Sequence, residues 1–501
     1  MSLDILPQHV QTLVVGAGFG GIGMAATLLR EDPHADVLVI ERGDDVGGTW
    51  RVNMYPGSAC DVPSALYSFS FAPEPSWSKA HGTGEEIYAY LRRVARQEGV
   101  TDRTVFGCEL RDAQWDDEQA RWLVSTSRGE LTADVLVSAT GALSTPSYPD
   151  VPGLDTFRGA KFHSAEWDHD YDLTGRRVAV IGTGASAIQF VPAIVDQVDH
   201  LTLFQRTASW VMPKHDHTIA APVRELYRRF PAAQKLVRGA VYGQKELYVI
   251  GMTKPFARKW LVPLFERRAL SILRKQVPDP ELRQKLTPRF TIMCKRILLS
   301  NDWLPTMTRP DVTVVASGLA AVTETGVVDD TGSERPVDAI IFGTGFTPTE
   351  PPVAHHIRGV KGETLAEHWG GSPSAHLGIS VHGFPNLFLM YGPNTNLGHS
   401  SIVYMLESQA TYIADALRTM RNQHLSAVEV TAASVERYTA ELDPELAGTV
   451  WNSGGCHSWY IDEKGRNSVM WPTFTWKFRE RTRHFDVENY TTRPATERID
   501  A

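Results

Sequence analysis

Gly16, Gly18 and Gly21 in "VVGAGFGG" form a GxGxxG run at the end of a short apolar stretch, and helical periodicity follows in "IGMAATLLR". The spacing suits a cradle for a pyrophosphate. The first glycine permits a tight turn, the second lets the backbone approach the anion, and the third lets helix and strand pack closely. A second apolar stretch, "ADVLVIE", ends at Glu41, 25 residues beyond Gly16, where a carboxylate can accept the hydroxyls of an adenosine ribose.

The pattern recurs at "RRVAVIGTGASAIQ", with Gly182, Gly184 and Ala187 in the three positions and Thr183, Ser186 and Gln189 as further cofactor-facing candidates. Two cradles imply two dinucleotides. Where the first cradle has Glu41, the second has Gln205 and Arg206 in "LTLFQRTASW". An acid there would repel a 2'-phosphate and an arginine can fork onto it, so the second cradle is expected to prefer NADPH over NADH.

These loops require strands to aim them and helices to cover them. The alternation of apolar strand, glycine turn and helix predicts an α/β protein with two Rossmann-like dinucleotide-binding domains. Further strand-to-glycine turns fall near Gly141 and at Gly343 and Gly345, each expected to close its unit. "FPNLFLMYGPNTNLGHSS" predicts a strand and turn that bring the chain back to the first domain. The expected order is a first FAD-type part (1–145), a linker and first NADP-type part (146–214), a helical insertion (215–310), a second NADP-type part (311–380) and a returning FAD-type part with the C-terminus (381–501). Such an order sets two cofactors face to face for hydride transfer.

At 501 residues, with a net charge of −8, the chain is long enough for several cores and gives no electrostatic reason to expect nucleic acid. Small molecules are the expected partners. From Ala221 to Pro280 the balance reverses, with thirteen Lys/Arg against four Asp/Glu among clusters such as "KWLVPLF". That run reads either as helices with solvated basic faces or as a surface for membrane or lipophilic substrate. Cys60, Cys108, Cys294 and Cys456 show no paired spacing, so neither a disulfide framework nor a zinc site is expected. With no basic and apolar leader at the start and no run long enough to span a bilayer, a reducing, cytoplasmic setting is the expectation.

Two longer patterns narrow the class. "FRGAKFHSAEWD" supplies Phe157, Gly159, His163, Trp167 and Asp168, matching FxGxxxHxxxW(P/D). "GGTWRVNMYPGSACD" supplies Gly48, Trp50, Tyr55, Pro56, Gly57 and Asp61. In these patterns and both cradles the chain resembles the type I Baeyer-Villiger monooxygenases, a class B flavoprotein family.

The resemblance implies FAD and NADPH as cofactors. It also implies a C4a-peroxyflavin that attacks a ketone or aldehyde and yields an ester or lactone. The peroxide must stay unprotonated to act as a nucleophile, and a guanidinium stabilises negative charge without readily donating a proton. By resemblance, Arg296 in "MCKRILLSND" is that group, and Asp61 orients it. Lys295 and Thr207 join Arg206 at the 2'-phosphate. Thr49, Trp50 and Tyr67 line FAD, Leu110 packs on its adenine side, and Trp459 in "CHSWYIDEKGRN" closes over NADP and substrate. "IDEKGRN" departs from the family's usual continuation.

In the resemblance, His163 belongs to a hinge and sets the domain arrangement through both ring nitrogens, while Trp167 packs. His215 and His217 in "PKHDHT" lack a third ligand nearby, so no metal site is expected. The apolar and aromatic insertion favours a hydrophobic ketone, with O2 as co-substrate. A class B enzyme acting on sulfur or nitrogen is the alternative, and a flavoprotein disulfide reductase would need a partner for Cys60. A non-catalytic binding protein on this scaffold would have no use for Arg206, Lys295 and Arg296.

Overall fold

The computed structural model describes residues 6–143, 145–346 and 351–495. Residues 1–5, on which the reading of the N-terminus partly rests, lie outside that range. Two sheets organise the chain. The first contains β1 (His9–Val15), β2 (Val37–Glu41), β3 (Thr104–Phe106), β4 (Leu110–Asp116), β5 (Arg121–Thr126) and β6 (Gly129–Ser138). β6, β1, β2 and β3 run parallel side by side, and β4 and β5 extend the sheet as antiparallel neighbours.

β2 is buried along its whole length, as a strand covered on both faces must be. α1 (Phe19–Glu31) covers one face with Ile22, Met24, Ala25 and Leu28 buried. The chain returns to this sheet late, when Leu387–Leu389 pairs in parallel with Leu136–Ser138 of β6.

The second sheet is parallel throughout. It holds β7 (Ala160–His163), β8 (Arg177–Ile181), β9 (His200–Phe204) and the later strands Val312–Val315 and Ala339–Phe342. β8 lies between β9 and Ala339–Phe342, and β1 lies between β6 and β2. Each cradle therefore opens where the strand order reverses, at the carboxyl ends of the strands.

α2 (Thr49–Val52) and α3 (Gly84–Gln97) flank the first cradle, and α4 (Ala187–Ile194) follows the second. Between β9 and Val312–Val315 the chain leaves the sheet to form α5 (Ala221–Arg229), α6 (Pro231–Thr253) and α7 (Pro255–Gln276). No described helix is long and apolar enough to cross a membrane.

The cysteines depart from expectation, because Cys294 and Cys456 form a disulfide. Spacing rules detect pairs close in sequence, and these two stand 162 residues apart. Tertiary contacts bring them together: the Thr291 N–H donates to the Gly454 carbonyl at 2.9 Å. The argument for a reducing setting from unpaired cysteines is thereby withdrawn. Cys60 and Cys108 are free and buried.

Candidate functional site

A cavity of about 1260 Å³ runs between the two cradles. Two glycines of the first cradle leave no room for a side chain. Gly16 has φ +101°, and a Cβ there would stand 2.8 Å from the Ala139 carbonyl oxygen. At Gly21 a Cβ would stand 1.8 Å from the Gly16 carbonyl oxygen. Gly18 faces Gly48 across the loop, with 3.5 Å between its virtual Cβ and the Gly48 Cα. Glu41 is buried at the end of β2 and accepts the N–H groups of Ala17 and Gly43, both at 2.8 Å. These bonds fix its carboxylate at the cavity edge, where an adenosine ribose fits.

Trp50 donates from Nε1 to the Tyr67 hydroxyl at 3.1 Å, and their rings meet edge to face at 5.7 Å. Burial pushes the Tyr67 phenol well above its usual range, so it stays protonated. Thr49, Trp50, Tyr67 and Leu110 all line the cavity. The donors, narrow loop and apolar wall fit FAD.

At the second cradle Gly182 has φ +107°, and a Cβ would lie 2.5 Å from the Gly343 carbonyl oxygen. A Cβ at Gly184 would find only that same oxygen, at 3.9 Å, which leaves the space an anion needs. Thr183, Ser186, Arg206, Thr207 and Lys295 line the same cavity. The Lys295 ammonium is pushed down by burial and then by Arg206, so the two cations stand within electrostatic reach of each other. That concentration of charge fits a 2'-phosphate.

Gln189, which lines the cavity, and Gln205 also make contacts that spacing in the sequence does not encode. Gln189 commits its amide to the first domain: Oε1 accepts from the Tyr55 hydroxyl (3.0 Å) and the Ala59 N–H (3.2 Å), and Nε2 donates to the Ala59 carbonyl (2.8 Å). It ties α4 to the 55–59 loop. Gln205 is buried and donates to the Lys285 carbonyl at 2.9 Å, so of the two residues at the end of β9 it is Arg206 that is left to meet a phosphate.

Arg296 and Asp61 meet as a bidentate pair, Nε to Oδ2 and Nη2 to Oδ1, both at 2.5 Å. Their open sides face the cavity. Arg296 is raised above its ordinary value, chiefly by the Asp61 charge. Burial would push the Asp61 carboxyl up, but the Arg296 guanidinium outweighs it and holds the group below its usual range. Both stay ionised.

Sequence reasoning missed the groups around this pair. Tyr391 and Tyr460 have phenols raised by burial, and Arg296 lies close enough to offset part of that rise in each. Tyr391 adopts φ +66° and lines the cavity. A non-glycine residue in the left-handed region is an uncommon conformation, visible only in the structure. Lys245 of α6 is pushed down by burial and lies within electrostatic reach of Asp61. Cys60 has its thiol pushed up to about 12 by burial and by Asp61, so it is no thiolate.

Trp459 lines the cavity with 40% of its surface exposed and packs edge to face on Tyr460 at 4.6 Å. The disulfide ties this segment to the one carrying Arg296. His163 ends β7 fully buried, its ring between Tyr148 (5.7 Å) and Phe346 (5.6 Å). Its Nδ1 accepts the Ala165 N–H at 3.1 Å, and the Gly345 backbone lies beside the ring. Burial lowers the His163 pKa and keeps the ring neutral. Trp167 packs on Phe162 and Phe190.

Comparison with known proteins agrees with this layout. Residues 13–234 match the family described as "Pyridine nucleotide-disulphide oxidoreductase". A Baeyer-Villiger monooxygenase of Streptomyces coelicolor is 49% identical over 99% of this chain and 95% of its own length. Among solved structures, cyclohexanone monooxygenase from Rhodococcus sp. Phi1 bound to NADP+ superposes with a TM-score of 0.86 at 27% identity, covering 98% of this chain and all of that one. OTEMO in complex with FAD and NADP superposes with a TM-score of 0.86 at 26% identity, covering 96% of this chain and 99% of its own. With two cradles on one cavity and close likeness along almost its whole length, the chain belongs to the Baeyer-Villiger monooxygenase family.

Proposed function

We propose that this NADPH- and FAD-dependent monooxygenase inserts one oxygen atom of O2 beside the carbonyl of a hydrophobic ketone or aldehyde, giving an ester or lactone. The observation that carries the reading is the Asp61–Arg296 pair, set on the cavity that both cradles share. FAD, reduced by NADPH, supplies the activation of O2 when bound.

The protein's residues supply binding, orientation and charge. Gly16, Gly18, Gly21, Glu41, Thr49, Trp50, Tyr67 and Leu110 would hold FAD, with Asp61 beside it. Gly182, Thr183, Gly184, Ser186, Gln189, Arg206, Thr207 and Lys295 would hold NADPH and Trp459 would close over it and the substrate, with the Gln189 amide also bracing the domain junction. Arg296 stabilises negative charge on the reacting oxygen and keeps its own proton, because its pKa lies above even the ordinary guanidinium value. Asp61 fixes the plane of the fork. Tyr67, Tyr391 and Tyr460 hold their phenolic protons, and Cys60 holds its thiol proton, so these four groups are poor proton donors toward the reacting oxygen.

The disulfide-reductase reading requires a reactive thiol at the flavin, and Cys60 is neither paired nor ionised. We place the reaction in the cytoplasm, where NADPH is available. The test supplies NADPH and isotopically labelled O2 with a panel of hydrophobic ketones, aldehydes and sulfides. The expected result is an ester or lactone carrying one labelled oxygen. Sulfoxide as the dominant product, without ester from any carbonyl compound, would reject the reading.

A further inference from the structure

Exposed apolar side chains are ordinary when scattered and informative when gathered. Ten of the sixteen large apolar side chains that stand exposed among the described residues fall between Val223 and Leu264. On α7, Phe256, Trp260 and Leu264 are spaced four residues apart and are 74%, 75% and 62% exposed. That spacing puts them on one side of the helix. Ala257, Val262, Ala269 and Leu273 are the buried residues of the same helix, so its packing against the protein is already satisfied. On α6, Leu236 and Leu247 stand three turns apart on one side, 78% and 63% exposed. α7 also presents exposed cations at Lys259, Arg267 and Arg268, with Lys254 at the α6–α7 corner.

We propose that α6 and α7 form a docking face for an anionic lipid surface, with Phe256, Trp260 and Leu264 entering the headgroup boundary and the cations meeting the phosphates. Charge identifies the occupant. Residues 221–280 carry nine net positive charges in a chain whose total is −8, so the rest of the molecule is net negative. A two-fold contact between copies through this face would set one basic surface against another. A bilayer containing anionic lipid accepts both the cations and the aromatic rings. No described helix is apolar enough to span, so the face lies on the surface.

The opposite side of α6 reaches the interior. Glu246 accepts the Thr475 N–H and hydroxyl, both at 2.8 Å, and Lys245 lies within reach of the Asp61 charge. One helix thus carries both the lipid-facing side chains and a lysine within reach of the Asp61 charge.

The test is flotation of the full-length, FAD-loaded protein with vesicles of phosphatidylcholine, with and without phosphatidylglycerol, at low and high salt. The protein is expected to float with the phosphatidylglycerol vesicles, and less so as salt screens the charges. A Phe256→Asp/Trp260→Asp variant should lose at least about tenfold in partitioning, since each ring removes more than a factor of ten in apolar transfer. Lys259→Glu/Arg268→Glu should lose binding to the anionic vesicles alone. Both variants should retain flavin, melting temperature and NADPH oxidation. Absence of flotation, equal flotation of the aromatic variant, or equal binding to pure phosphatidylcholine would each overturn the proposal. So would a dimer in lipid-free solution that shields Trp260 from quenchers.

Discussion

Arg296 and Asp61 are joined by two hydrogen bonds of 2.5 Å across 235 residues of sequence. A permanent cation on the insertion side of the cavity is thus held by a carboxylate from the flavin side. Breaking that fork should leave a charge of the correct sign in the wrong place.

Asp61→Asn should therefore lower ester formation about a hundredfold, with a smaller loss in flavin reduction by NADPH, because misplacement by about 1 Å carries that cost. Both rates can be read on the same preparation. The pH profile carries the sign. A carboxyl with a depressed folded pKa contributes fully above its unfolded value, and its contribution is lost only as pH falls through the depressed one. Wild-type coupling should accordingly stay flat from neutrality down to about pH 5, above the ordinary carboxylate range. A decline near pH 6 would mean that another group governs the step.

Arg206→Ala should raise KM for NADPH by about tenfold or more and leave KM for NADH nearly unchanged, since a charge-assisted phosphate contact is lost for one cofactor only. Lys295 provides an independent readout. Its ammonium is pushed down by burial and by Arg206, and a phosphate between them reverses the second effect. At alkaline pH, NADPH binding should take up protons and NADH binding should not. Calorimetry in buffers of different ionisation enthalpy measures the difference.

Removing the Cys294–Cys456 tie should lower stability by about 2–4 kcal/mol, given the long loop that it closes. Urea melts of the wild type and a Cys294→Ser/Cys456→Ser variant provide the comparison. Because the tie links the segments of Arg296 and Trp459, ester formed per NADPH oxidised should fall as well. Unchanged coupling would make the bond a staple only.

Much of this site was legible because its signals are local. A GxGxxG run, the acid at Glu41 and the arginine after β9 each sit within one βαβ unit, where chain geometry dictates spacing. Gln189 sits in such a run too, yet its amide is spent on Tyr55 and Ala59, a contact across 130 residues that no spacing encodes. Tyr391, Tyr460 and Lys245 reach Arg296 only through the return of the chain and the placement of the insertion. The disulfide was hidden for the same reason. The exposed stripe on α7 was visible as a composition, but only the fold shows which side of the helix is left uncovered.

The most direct measurement compares Arg296→Ala with the wild type under NADPH, O2 and a ketone that the wild type converts. FAD content and anaerobic reduction by NADPH should persist in the variant, while ester formation falls by about a hundredfold or more, as for loss of an oxyanion-stabilising group. Robust ketone oxygenation by Arg296→Ala would contradict the assignment of the Asp61–Arg296 pair as the centre of the chemistry.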